Sequence, residues 1–270
     1  MQHKARKRFG QNFLHDAGVI RRVVGCIAPR PNQHLVEIGP GRGALTRELL
    51  ATLGRLEAVE LDRDLIGPLQ ASCAQLGELR VHSGDALRFD FCQLAQPGER
   101  LRLVGNLPYN ISTPLLFHLL EQSYCIDDMH FMLQKEVVAR MAAEPGGKDY
   151  GRLSVMLQIQ CEVFPLFDIG PAAFSPPPKV TSSLVRLRPL REPRFNIADP
   201  QVFAHLVNEA FSHRRKTLRN SLRDLLDSQQ ILALGIDPAE RPERLALEAF
   251  VALANAACNS AAVPSLSSEQ

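Results

Sequence analysis

The stretch Gly105-Asn106-Leu107-Pro108-Tyr109-Asn110 concentrates more chemistry than any other part of this sequence. An Asn side chain can accept a hydrogen bond from an exocyclic amine, and so can a main-chain carbonyl held in place by a following proline. Tyr109 adds a ring face on which a planar base can stack. Two acceptors and a ring suit an adenine taken out of its stack. An isolated Asn-x-Pro-Tyr also occurs as an ordinary turn around a half-buried tyrosine, so the reading depends on its surroundings. The apolar run 101–104 before it predicts a buried strand, and Ser112-Thr113-Pro114 after it predicts a helix start. The stretch therefore falls at the carboxyl end of a strand, where open α/β sheets bind ligands.

A second glycine-rich stretch has the form needed for a nucleotide-like cofactor. Gly39-x-Gly41-x-x-Ala44 follows the expected strand 34–38, and Glu60 lies about 20 residues on, at the end of the next strand. The glycine turn admits close approach to the backbone, and the carboxylate can take both hydroxyls of a ribose. A nicotinamide dinucleotide and a methyl donor both satisfy this pattern. Three features favour the methyl donor. Glu37 extends the pattern to Glu-x-Gly-x-Gly-x-Gly, the form found in S-adenosylmethionine binders. Gly84-Asp85-Ala86 ends the third strand with an acid beside an apolar residue, suited to an adenine amine. Asn106 then directs chemistry towards an amino group, where a dehydrogenase would need a hydride acceptor and a general acid.

The elements that position these residues alternate. Strands are predicted at 34–38, 55–59, 79–82, 101–104 and 129–133, each followed by a helix. Such alternation predicts a doubly wound, mainly parallel sheet, since parallel pairs need crossover helices. Asp16 and Asp62 are expected helix caps. Two further strands are expected at 161–167 and 181–187, joined through the stiff connector Phe174-Ser175-Pro176-Pro177-Pro178-Lys179. From Asp199 onward the apolar spacing is helical. The fold class expected is therefore α/β: a Rossmann-like sheet of the S-adenosylmethionine-dependent methyltransferase kind with a small C-terminal all-α domain. The expected boundaries are 1–30 for a basic arm and cofactor-site helix, 31–190 for the sheet domain and 191–270 for the helical domain.

Composition narrows the classes. Hydrophobic content of 45% and charged content of 22% are ordinary for a soluble globular chain. No apolar run approaches the roughly 20 residues needed to span a bilayer. The net charge of +2 hides an asymmetry: residues 1–30 carry +6, residues 31–178 carry −6 and residues 179–270 carry +2. Basic clusters at Lys4, Arg6, Lys7 and Arg8 and at 213–219 flank an acidic centre, which favours a polyanionic partner. His213-Arg214-Arg215-Lys216 with Arg219 and Arg223 is read as a phosphate-binding stripe on one helix, against the alternative of a solvated helix face. The six cysteines form no C-x-x-C and are expected to be reduced thiols of a cytoplasmic protein. No metal site is expected.

Taken together, Gln11-Asn12-Phe13-Leu14, Val36-Glu37-Ile38-Gly39-Pro40-Gly41, Glu60-Leu61-Asp62, 105–112, 132–137, 150–155, Phe174-Ser175-Pro176-Pro177-Pro178-Lys179-Val180 and 210–220 resemble the rRNA adenine N6,N6-dimethyltransferases. The resemblance covers roughly residues 4–250 and is greatest to the bacterial small-subunit enzymes. It implies transfer of two methyl groups to each of two adjacent adenosines near the 3′ end of 16S rRNA, in the assembling small ribosomal subunit, by a monomer. It also implies that Asn12, Leu14, Gly39, Gly41, Glu60, Asp85 and Asn106 line an S-adenosylmethionine site. Asn106, Leu107, Pro108 and Tyr109 would form the catalytic stretch, with Phe174 as a second aromatic wall. Arg214, Arg215, Lys216 and Arg219 would contact RNA. A DNA adenine methyltransferase would use the same pocket, although no target-recognition domain is evident, and a binding-only assembly factor stays open.

Overall fold

A computed structural model of the chain describes residues 10–212 and 216–261. The basic arm at Lys4–Arg8 and the cations Arg214 and Arg215 lie outside the described residues. Two compact units emerge, one comprising residues up to Val138 with Glu162–Pro189, the other Ala139–Cys161 with the chain from Leu190 onward.

The first unit is built on a seven-stranded sheet. Its strands are β2 (His34–Ile38), β3 (Arg55–Glu60), β4 (Glu78–Ser83), β5 (Leu101–Asn106), β6 (Ile126–Gln134), β7 (Cys161–Ile169) and β9 (Ser182–Pro189). A short ribbon pairs β1 (Phe13–Leu14) antiparallel with β8 (Phe174–Ser175). The sheet order is β4-β3-β2-β5-β6-β9-β7, with β2 to β6 mutually parallel and β9 antiparallel to β6. The chain thus builds outward from β2 to β4, then returns to lay β5 on the other side of β2. That reversal opens a crevice at the carboxyl ends of β2 and β5. β2, inside the sheet, is buried along its whole length, His34 and Glu37 included, whereas the edge strand β4 is half exposed.

Helix α1 (Ala17–Ile27) leads into β2; α2 (Ala44–Leu53), α3 (Arg63–Cys73) and α4 (Ser112–Glu121) make crossovers between parallel strands, a short turn at Phe91–Leu94 lies between β4 and β5, and α5 (Lys135–Met141) follows β6. Asp16 caps α1 by accepting from the Val19 N–H at 2.8 Å, and Asp62 caps α3. α2 buries Leu45, Leu49 and Leu50 against a cluster that includes Val23, Ile27, Leu35 and Leu56. At the amino ends of β5 and β6, the Arg102 guanidinium donates to both Asp128 oxygens, at 2.8 and 3.1 Å, and to the Ile27 carbonyl at 2.7 Å. Arg186 joins it on Asp128. Burial holds the neighbouring His130 ring down at about 4, so that ring is neutral at physiological pH.

In the second unit, α6 (Arg152–Gln158), α7 (Pro200–Phe211), α8 (Leu218–Ser221), α9 (Ser228–Ala233) and α10 (Leu247–Ala261) surround their own core. Tyr150, Val155 and Ile159 share that core with Phe203, Leu206, Leu222 and Phe250. The sheet domain expected to run unbroken over 31–190 is therefore interrupted, because residues 139–161 bury their apolar side chains with the helices.

Two further expectations are corrected. Among the described residues, the cations Lys216, Arg219 and Arg223 do not share one helix. α7 ends at Phe211, where the Ser212 hydroxyl donates to the Glu209 carbonyl at 2.7 Å, and α8 begins only at Leu218. Lys216 and Arg219, both exposed, flank a short turn anchored by the buried Leu218 and Leu222. The cysteines are not all free thiols either: Cys92 and Cys125 form a disulfide, with Cα atoms 5.6 Å apart. The fold brings together two short helical turns that are 33 residues apart in sequence, joined as well by the Phe91 N–H donating to the Gln122 side chain at 2.7 Å. Cys26, Cys73, Cys161 and Cys258 are free. No helix among the described residues is long and apolar enough to cross a membrane.

The seam between β2 and β5 leaves no room for a side chain at Gly105. A Cβ there would lie 2.5 Å from the Ile38 carbonyl oxygen, a backbone atom that cannot swing away. Gly105→Ala is expected to destabilise the protein by about 2 kcal/mol or more, read as a lowered urea midpoint. A midpoint equal to the parent's would show that the seam is slack.

Candidate active site

A cavity of about 350 Å³ lies at the carboxyl ends of β2, β3, β4 and β5. That volume is in the range of sites for cofactor-sized ligands. It gathers Asn12, Leu14, Gly39, Gly41, Glu60, Asp85, Asn106, Leu107, Pro108 and Tyr109, together with Glu37, Leu61 and Ala86. Four strand ends and the segment before α1 thus bring together residues spread over about a hundred positions. Phe174 is not among them. Its pairing with Leu14 across β1 and β8 turns the ring into the core, where it is 2% exposed. It packs in the core cluster that also holds Leu14.

The turn after β2 takes positive φ at Gly39 (+67°) and Gly41 (+57°), a conformation costly for any other residue. Beyond Gly39 the space is open, with no atom within 4 Å of where a Cβ would stand. The Gly41 N–H donates to Glu60 at 3.1 Å, and the Asp62 N–H donates to its other oxygen at 2.8 Å. Burial pushes the Glu60 carboxyl above the usual carboxylate range, and the bonds from Asp62 and Gly41 work against that shift. Glu37, 2% exposed, is pushed to about 7, mainly by burial; the Thr46 hydroxyl, donating at 2.7 Å, opposes the rise and the nearby Glu60 adds to it.

The segment before α1 closes one wall. Gln11 donates to Asp62 at 3.0 Å, and Arg42 stacks over the Phe13 ring at 4.5 Å. The decisive contact is the Asn106 Nδ2 donating to the Asn12 carbonyl at 2.7 Å. A carbonyl oxygen only accepts, so this bond fixes which end of the Asn106 amide faces Asn12 and commits its Oδ1 to the other side. The Leu107 N–H donates to the Met132 carbonyl at 3.2 Å, tying the stretch to β6. The Tyr109 hydroxyl meets the Ser182 Oγ at 2.7 Å. Sequence reading missed Ser182 and Thr46, and it gave the Asn12 main chain no role. Only the partner 9 positions away, Thr46 for Glu37, is close enough in sequence to have been sought.

The model of the ribosomal RNA adenine dimethylase family matches residues 2–258. The chain belongs to that family. It is 59% identical to the ribosomal RNA small subunit methyltransferase A of Pseudomonas aeruginosa over 94% of this chain and 95% of that one. The protein of the same name from Nitrosococcus oceani is also 59% identical, over 93% and 95%. A crystal structure of a dimethyladenosine transferase from Plasmodium falciparum superposes with a TM-score of 0.78 at 24% identity, over 89% of this chain and 95% of that one. That of the 23S rRNA methyltransferase ErmE superposes at 0.71 and 26% identity, over 92% and 100%. The dimethylase sheet and its parallel strands are thus shared well beyond close relatives.

As a member of the rRNA adenine dimethylases, this chain is an enzyme that uses S-adenosylmethionine. The residues present suit that cofactor: an open glycine turn, a buried carboxylate held by two N–H groups and a second acid, Asp85, surround one cavity. The raised Glu37 also sets a pH dependence. A folded-state carboxyl near 7 against 4.5 unfolded binds its proton more readily in the folded protein. Its contribution is fully present below pH 4.5 and is lost as pH rises through about 7. Glu37→Gln is therefore expected to gain on the order of 2–3 kcal/mol over the parent between pH 4.5 and 8 in urea unfolding of the cofactor-free protein. Parallel stability curves for the two proteins would contradict this.

Proposed function

We propose that this enzyme dimethylates N6 of two adjacent adenosines near the 3′ end of 16S rRNA in the assembling small ribosomal subunit, in the cytoplasm. The observation that carries the reading is the Asn106 amide, whose nitrogen is already engaged by the Asn12 carbonyl. Its oxygen is left as an acceptor beside Tyr109, on the wall of the cavity.

Adenine N6 is a poor nucleophile because its lone pair is conjugated with the ring. The Asn106 Oδ1 and the Leu107 carbonyl would accept the two amine hydrogens and favour a pyramidal nitrogen. Tyr109 would hold the flipped base by stacking. Bound S-adenosylmethionine supplies an electrophilic methyl group. Glu60 would hold the ribose hydroxyls, Asp85 the adenine amine, and Asn12, Leu14, Gly39 and Gly41 the remaining walls. Positioning of this kind lowers the barrier without a strong base, since the amine proton can leave after transfer. The raised carboxyls of Glu37 and Glu60 are then features of cofactor binding and take no part in proton transfer. Leu107 in place of proline keeps an N–H that bonds to the Met132 carbonyl, so a proline here would cut the stretch loose from β6.

The names of the relatives from Pseudomonas and Nitrosococcus support the small subunit as the target. Methyl transfer from labelled S-adenosylmethionine should be measured on small subunits lacking the modification, beside free rRNA and duplex DNA. Dimethyladenosine is expected on the subunit alone, with Asn106→Ala slower by about 100-fold or more at saturating cofactor. Transfer to duplex DNA would overturn the substrate, and parental turnover by Asn106→Ala would overturn the site. For the RNA interface, Lys216→Ala with Arg219→Ala is expected to weaken subunit binding and to lower the log–log salt slope by about 1 for each phosphate no longer neutralised. An unchanged slope would remove these side chains from the interface.

A further inference from the structure

The geometry points to Ser182 as a positioning residue that holds the Tyr109 ring in place through its hydroxyl. The inference rests on the reading of Tyr109 as the stacking platform for the target base.

Tyr109 belongs to the stretch after β5, and Ser182 opens β9, on the far side of β6. Two strand spacings, about 10 Å, separate β5 from β9. The register aligns the ends of all three strands: Asn106 is opposite Met132 across β5 and β6, and Gln134 is opposite Ser182 across β6 and β9. The Lys135 N–H donates to the Thr181 carbonyl at 3.0 Å, so the start of β9 is fixed on both sides of Ser182. Ser182 is fully buried, while Tyr109 is partly exposed and lines the cavity. The 2.7 Å bond between their hydroxyls therefore ties a ring that borders the cavity to an immobile point in the sheet.

The consequence is mechanical. The Tyr109 carbonyl accepts from the Ser112 hydroxyl at 3.1 Å, and its own hydroxyl is held through Ser182, so the residue is anchored at both ends. A stacking face must keep its plane while the amine is aligned with the acceptors of Asn106 and Leu107. A ring anchored only at its Cα would sample other χ1 wells, and the base with it. Because Ser182 acts through Tyr109, its loss should appear in the chemical step and leave cofactor binding alone.

The test is a double-mutant cycle on small subunits lacking the modification. Ser182→Ala and Tyr109→Phe each remove the same bond and are expected to lower kcat by about 3- to 10-fold, with S-adenosylmethionine affinity and Tm at parental values. The double variant is expected to be no slower than either single one. Ser183→Ala, which removes the neighbouring hydroxyl that donates to the Phe167 carbonyl at 3.2 Å, serves as control and should keep parental kcat. Effects that multiply in the double variant, or a parental kcat in Ser182→Ala, overturn the inference. Should Ser182→Ala not fold, Tyr109→Phe decides alone: a several-fold loss in kcat at unchanged cofactor affinity supports it, and unchanged kcat overturns it. Parental turnover by Tyr109→Ala would instead sink the stacking role itself, a failure distinguishable from that of Ser182.

Discussion

The close approach of two backbones at the β2–β5 seam is the constraint on which the rest depends. Parallel neighbours whose crossovers leave in opposite directions must open a crevice at their carboxyl ends. How well that crevice is shaped depends on how closely the two strands run. Gly105 against the Ile38 carbonyl sets that distance one residue before Asn106. The glycine turn of β2 and the Asn-Leu-Pro-Tyr stretch of β5 are consequently two lips of one cleft. The Asn106 bond to the Asn12 carbonyl then draws the segment before α1 across it.

Buried charge is treated differently at the two ends of the sheet. At the amino ends, Asp128 is surrounded by Arg102 and Arg186; burial pushes its carboxyl up, but the Arg102 bonds and the nearby charges together outweigh burial and hold it below the usual range. At the carboxyl ends, Glu37 and Glu60 are buried and take their hydrogen bonds from a hydroxyl and from N–H groups, and burial raises both. Removing one partner of a buried ion pair leaves a stranded charge, so the Asp128 cluster serves the fold. Carboxyls held away from full ionisation in a cavity cost stability in the free protein, a cost that a ligand carrying hydroxyl or amine donors would offset.

Much of the fold was legible in the sequence because the strands are buried on both faces and the caps are local. Leu35, Val36 and Ile38 are apolar for the reason that β2 is wholly buried, and Asp16 and Asp62 stand where their helices begin. The residues of the site were legible where they sit on strand ends, since a glycine turn, an acid after the next strand and Asn-Leu-Pro-Tyr all have fixed offsets from their strands. Contacts between distant segments were not. Ser182 lies 73 residues from Tyr109, and Cys125 lies 33 from Cys92, with nothing local to join them. The pairing of Phe174 with Leu14 also joins segments far apart in sequence. The end of α7 at Phe211 and the start of α8 at Leu218 carried no local mark, because apolar residues on either side keep a helical spacing.

The interleaving of the two units bears on the order in which a ribosome can complete them. By the time residue 161 has been made, Tyr150, Val155 and Ile159 exist without Phe203, Leu206 or Phe250, the side chains they pack against. The sheet is equally unfinished at that moment, because β9, the antiparallel neighbour of β6, begins only at Ser182. The sheet can close once residue 189 has emerged, but the helical core must wait for α10, at the far end of the described chain. A nascent chain of this design holds an exposed apolar segment through roughly the last third of its synthesis, at about 5–20 residues per second. Slow codons placed between residues 161 and 250 would lengthen that interval, and fast ones would shorten it.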